Sequence, residues 1–242
     1  MAKIILPDRI FGRDVDGAME KVLNGDKTPE PIPEQTVPQT NAPDLKGYIL
    51  VPSLGLYVAK ERTLLNANWS DAQEGLKKQH LMMPTPYQFR EFLKYLRDSK
   101  NPEHKKIFND VVEVRNPWRG EWINAKFEND DKGKAYLVSE NILVNGKYQS
   151  QKQLLSNYLD SDKAPGISLD DWLNSSVAHG LPESKTPKGR LYYWAPVNGY
   201  VARFVAGSDW ADLSCYGDAG DSDPSLGVRA CTEGAVAKNG RK

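Results

Sequence analysis

The chain has 242 residues, 39% hydrophobic and 26% charged, the ordinary balance of a globular protein. Its 32 Lys plus Arg offset its 32 Asp plus Glu, so there is no basic surplus of the kind a nucleic-acid partner requires. No apolar run approaches the ~18 residues that span a bilayer, so no membrane insertion is expected.

The opening MAKIILPD (Met1–Asp8) has an apolar run too short for a signal-peptide core. Synthesis in the cytoplasm is expected, and display on a cell surface or virion would need another route. Residues 1–27 read as a short N-terminal element, with one weak helix at Val15–Leu23. Residues 28–45 read as a linker: TPEPIPEQTVPQTNAP holds five prolines, which fix φ and remove donors. The main domain is expected over 46–242. It opens with two β-like runs in Gly47–Glu61, broken at Pro52 and Gly55. A helix follows from Trp69, where Ser70 and Gln73 stand at capping-box spacing. A second helix has Thr85 as N-cap, Pro86 at N1 and Gln88 three residues after the cap. Its Phe89, Phe92, Leu93 and Leu96 make one apolar face. Pro102–Val112 reads as a third helix with Ile107, Phe108, Val111 and Val112 apolar.

Strand signals then take over. Trp122–Phe127 and Ala135–Val138 flank Asp130–Gly133 as a hairpin. Ser168 caps a short helix through Trp172. From Leu191 come the short runs LYYW, YVARFVA, ADLSCY and LGVRAC. Helices early and strands late describe an α+β fold.

A search for chemistry finds no P-loop, no GxGxxG after a strand and no GxSxG elbow. His80, His104 and His179 are scattered, so no metal site is expected. Cys215 and Cys231 form either a buried reduced pair, the favoured reading, or a disulfide. Asp218, Asp221 and Asp223 invite a calcium reading, but their spacing is not that of an EF-hand, and a solvated acidic loop is favoured. Phe89, Phe92, Trp118 and Trp122 read as core.

Composition supplies the unusual feature. From Leu191 to Thr232 there is no Lys, Glu, Gln or Met, and between Phe204 and Val228 the only charges are five aspartates. Tyr, Asp, Ser, Gly, Ala, Val and Asn fill the tract. Turn-rich sequence accounts for part of this, but Tyr, Ser, Gly and Asn are also the residues of antibody paratopes.

Leu191–Cys231, LYYWAPVNGYVARFVAGSDWADLSCYGDAGDSDPSLGVRAC, resembles the variable region of diversity-generating retroelement variable proteins, most closely the archaeal group. DKAPGISLDDWLNSS (Asp162–Ser176), with GLP following at Gly180, is similar to the stretch before that region. LMMPTPYQF (Leu81–Phe89) resembles the strand-to-helix entry of the wider C-type-lectin and formylglycine-generating-enzyme fold. The resemblance covers most of residues 47–232.

It implies a C-type-lectin-like fold, two helices packed on short antiparallel sheets, and a variable region about 195–223. It implies templates randomised at the adenines of AAC or AAT codons, whose products include the observed residues and exclude Lys, Glu, Gln, Met and Trp. Trp210 departs from that alphabet, being either scaffold or the product of another codon. On this reading Tyr193, Trp194, Val201, Phe204, Leu213, Cys215, Leu226 and Val228 hold the framework. Asn198, Tyr200, Ser208, Asp209, Trp210, Asp212, Ser214, Tyr216, Asp218, Gly220, Asp221 and Ser222 form the ligand-binding surface, with Asp212, Ser214 and Tyr216 alternating against Leu213 and Cys215. Arg203 and Arg229 either pin a loop or face solvent. The expected function is display without cofactor: recognition of a macromolecular ligand, a protein, with the aspartates favouring a basic or polar epitope. The alternatives are an oxidase of the formylglycine-generating type, which would need Cys215 and Cys231 reactive, and a calcium-dependent sugar lectin.

Overall fold

Helix-forming runs come first in the main domain and strand-forming runs last. The computed structural model, which describes residues 9–10, 13–14 and 45–234, keeps that order. The chain divides into two units, residues 1–42 and 43–242. In the first, β1 (Arg9–Ile10) pairs antiparallel with β2 (Arg13–Asp14). The helix expected at Val15–Leu23 and the linker up to residue 44 lie outside the described residues.

The second unit begins with the hairpin of β3 (Tyr48–Val51) and β4 (Leu56–Ala59), whose turn holds Gly55 at φ +64°. Helices α1 (Trp69–Lys78), α2 (Pro86–Asp98) and α3 (Pro102–Val112) follow. The cap of α1 is Asn68 and not Ser70: the Asn68 side chain accepts from the Asp71 N–H at 2.8 Å. Packing decides the register, because Trp69 must turn inward, where its indole donates to the Ile123 carbonyl at 3.0 Å. In α2 the expected capping box forms, with Thr85 and Gln88 bonded reciprocally at 2.9 and 3.3 Å. Its Phe89, Phe92, Leu93 and Leu96 are all at most 1% exposed.

Next come β5 (Arg119–Asn129), β6 (Ala135–Val144), β7 (Lys147–Leu154), β8 (Lys163–Ile167), α4 (Leu169–Asn174) and β9 (Leu191–Trp194). The chain ends through β10 (Val201–Ala206), β11 (Ala211–Gly217), β12 (Leu226–Val228) and β13 (Cys231–Glu233). One sheet has the order β7-β6-β5-β10-β11-β9-β8 with β12 also beside β5, and a second has the order β13-β4-β3. The architecture is α+β. It differs from two helices on short antiparallel sheets: four helices are described, β5 and β6 have 11 and 10 residues, and the large sheet is mixed. β9 runs parallel to β11 because β10, antiparallel to β11, reverses the chain between them, and β12 runs parallel to β5 because residues 218–225 return the chain along the sheet. Among the described residues no helix is long and apolar enough to cross a membrane.

Two cores flank the large sheet. On one face Phe204, Leu213 and Tyr193 pack with α2 and α4, Phe204 lying 5.7 Å from Phe89 and 6.3 Å from Trp172 between ring centroids. On the other, Trp122, Val201, Leu226 and Val228 pack with Trp69 and Leu76 of α1.

A buried ionic knot ties these layers. Glu121, 1% exposed, accepts from Arg229 at 2.7 and 3.0 Å and from Arg119 at 2.6 Å. Arg229 also donates to the Ala59 carbonyl at 3.0 Å and to the Lys60 carbonyl, and Arg119 reaches Asp110 of α3. Burial raises the Glu121 pKa, but Arg229 and Arg119 outweigh it and hold the carboxyl at about 2. The folded value lies below the unfolded one, so this contribution is full above about pH 4.5 and is lost as pH falls toward 2. Glu121→Leu leaves Arg229 buried without a counter-charge and is expected to cost about 3–5 kcal/mol in urea denaturation at pH 7. Adding Arg229→Met should restore most of that loss; a double variant as weak as the single one would refute the assignment.

Candidate functional site

Side chains two apart on a strand share a face, and directly paired residues on neighbouring strands share it too. Tyr193, Leu213 and Phe204 form one such row, turned into the helix-covered core. The opposite face carries two rows: Tyr192, Asp212, Val205 and Gly120, then Trp194, Ser214, Arg203 and Trp122. The Trp122 end is roofed by the second core. The β9–β11 end meets water, with Tyr192 and Trp194 half-buried and Trp210 and Tyr216 41% and 40% exposed.

Along β11 the short Asp212 and Ser214 side chains lie beneath taller aromatic neighbours. Trp210 stacks on Tyr192 at 5.1 Å with 6° between planes. Tyr192 meets Trp194 edge-on at 6.3 Å, and Trp194 meets Tyr216 edge-on at 5.8 Å. Each contact of this type is worth about 0.5–1.5 kcal/mol beyond the area it buries, so the four rings hold one another in place.

Because β11 and β12 both run parallel to β5, residues 218–225 must travel back along the sheet. They do so beside Arg203, whose Nη1 donates to Asp221 at 3.0 Å. A cleft of about 430 Å³ opens there, bounded by Trp118, Val205, Ser222 and Asp223. The loop is internally bonded: Asp218 accepts from Gly220 N–H at 2.8 Å and Asp223 from Ser225 N–H at 2.7 Å.

Ten of the twelve sequence candidates are exposed: Asn198, Tyr200, Ser208, Asp209, Trp210, Tyr216, Asp218, Gly220, Asp221 and Ser222. Tyr200, Trp210 and Tyr216 are the only exposed aromatic side chains among the described residues. Asp212 and Ser214 are corrected. They point to the predicted face but are only 7% and 3% exposed, because the rings of β9 and Trp210 stand over short side chains. Arg203 pins the 218–225 loop. Arg229 does neither of the things expected of it, being buried on Glu121.

Tyr192 was missed, and Trp194 belongs to the surface and not to the buried framework. Parity carries the signal for both: with Leu191 and Tyr193 in the core, residues 192 and 194 must face the other way. Of the expected core tryptophans, Trp122 is fully buried and Trp118 half-buried at the cleft.

Cys215 and Cys231 are free and fully buried. Burial pushes both thiols up, the reverse of what a reactive cysteine needs. Asp218, Asp221 and Asp223 each turn to a different partner, and no three His, Cys, Asp or Glu side chains converge among the described residues. No protein-family model matches the chain, and no curated protein or solved structure matches it.

Burial pushes the Asp212 carboxyl up to about 7, against the opposing effects of the Arg203 charge and a hydrogen bond with the Trp210 side chain. The folded state therefore holds this proton where the unfolded chain has released it. Asp212 costs stability progressively from about pH 4 to 7, and the cost is constant above. Asp212→Asn should stabilise the fold by about 2–4 kcal/mol at pH 8 and by almost nothing at pH 4. Urea denaturation at the two pH values checks this; a gap independent of pH would rule it out.

Proposed function

We propose that the protein is a ligand-display protein of the diversity-generating retroelement kind, archaeal in type, in which a C-type-lectin-like scaffold presents residues about 195–223 to a macromolecular ligand, a protein. One observation carries the reading. Within the same short segments, framework side chains such as Phe204 and Leu213 are at most 1% exposed, while ten of the candidate surface positions face water. Substitutions at exposed positions usually stay within about 0.5 kcal/mol, so such a surface can change while the fold persists. Rigid aromatic anchors beside small polar residues also make a competent paratope. The oxidase alternative is disfavoured by two inert, buried thiols, and the calcium-lectin alternative by carboxylates that turn apart.

Two readouts test the proposal. A library randomised at the ten exposed positions should yield mostly folded, soluble members, whereas one randomised at Tyr193, Phe204, Leu213 and Leu226 should not. Sequencing around the gene should find a near-identical downstream repeat of its 3′ end that differs at adenines, beside a reverse transcriptase. A surface library as fold-defective as the core library, or a locus without that repeat, would overturn the reading.

A further inference from the structure

Beneath the rings of β9 and Trp210 lies an acid with no counter-ion among the described residues. Asp212 is 7% exposed, and among the described residues no Lys or Arg forms an ion pair with it. Arg203, across β10, has its Nη1 engaged by Asp221. A buried carboxylate without a cation is costly, and a hydrogen bond with the Trp210 side chain offsets only part of that cost. The surroundings are aromatic: Trp210 and Tyr192 by the acid, Trp194 and Tyr216 further along. Ring faces attract cations, more strongly as the site dries. Asp209, Asp218 and Asp221 are exposed in the same tract, where they raise the local concentration of positive charge.

Building on the display reading, we infer that the protein partner is anchored by one of its own lysine or arginine side chains, which parts the aromatic rings that cover Asp212 and pairs with its carboxylate. The partner's cation supplies the counter-charge. An apolar anchor would leave the acid buried and unpaired. An acidic anchor would meet the like charge of Asp212.

Binding of this kind is linked to a proton. Around Asp212 are Arg203 from β10, whose charge acts on it, Tyr192 from β9 and Tyr216 from β11, with Asp162 acting on the same region and Asp221 engaged by Arg203. The histidines lie elsewhere: His80 follows α1, His104 is on α3 and His179 follows α4. With the carboxyl at about 7, its ionised fraction rises about tenfold from pH 6 to 8, and affinity for a cation should rise with it.

The test is an NMR titration of the full chain, following the indole N–H signals of Trp210 and Trp194. The probes are an acetylated, amidated Gly-Gly-Lys-Gly-Gly peptide and its arginine, norleucine and glutamate counterparts. The lysine and arginine peptides should shift both signals, with a Kd about tenfold lower at pH 8 than at pH 6. The norleucine peptide should bind at least about tenfold more weakly at pH 8. Asp212→Asn, expected to be the more stable protein, should bind the lysine peptide weakly at both pH values. Trp210→Ala, which uncovers the acid, should weaken binding and move the pH dependence to lower pH. Equal binding of norleucine and lysine, preferred binding of glutamate, an unchanged pH profile in Asp212→Asn, or no shift up to about 10 mM peptide would each overturn the inference. Those outcomes leave the display reading standing on its library and locus. Lysine binding together with a fold-defective surface library would remove the display reading and leave a fixed cation site.

Discussion

Glu121 and its two arginines are the constraint on which the rest of the second unit depends. Glu121 sits near the start of β5, opposite Phe204 on one side and Gly227 on the other. Arg229 carries its charge on to the carbonyls of Ala59 and Lys60, so the three-stranded sheet is bolted to the large one. The Arg229 guanidinium also lies 5.5 Å from the Phe92 ring centroid, and Arg119 reaches Asp110, so α2 and α3 join the same knot. A paired charge at this depth adds little net stability over an apolar replacement. Its consequence is geometric: the segment that follows the 195–223 tract, and the strand β5 on which β10 pairs, are locked to the core by groups that tolerate one arrangement.

That anchorage is what allows β10 and β11 to differ so sharply between their faces. Inward, Phe204, Leu213 and Cys215 fill a close-packed space in which a lost methylene is felt. Outward, the strands offer no roof of backbone or helix beyond Trp122, and order comes from side chains alone. The ring series Trp210, Tyr192, Trp194 and Tyr216 provides it, and half of that series comes from β9, outside the tract. The binding face is therefore a composite. A fixed pair of aromatic residues from β9 props up residues of the proposed diversified segment, and a change at Trp210 or Tyr216 alters what β9 presents.

Much of this was legible in the sequence, for identifiable reasons. The capping box at Thr85 is a local signature, and α2 begins where it stands. The apolar phase of Phe204, Leu213 and Cys215 reads directly as an inner face, and the absence of Lys, Glu, Gln and Met marks out the tract before any fold is known. The failures share a cause. Ser70 satisfies the spacing rule for a cap, but Trp69 has a tertiary partner in Ile123 that shifts the helix start. Arg229 looks like a boundary charge until Glu121, 108 residues earlier, is placed against it. Asp212 and Ser214 have the phase of exposed residues, and only the neighbouring strand decides that tall rings cover them. In each case the deciding contact is distant in sequence, and no local pattern encodes it.

Asp212 shows how the two requirements, folding and binding, pull apart at a single position. The framework gains nothing from its charge: burial holds the carboxyl near neutrality, and an uncharged isostere would fit the same space beneath Trp210. Most neighbouring surface positions are neutral toward folding, so their identity carries little information about why a given residue stands there. At Asp212 the balance is different, because the residue present is worse for the fold than an available alternative. A cation brought by the proposed ligand would offset that cost. The least comfortable side chain on this face, and not the most exposed one, is therefore the position that carries the most information about the ligand.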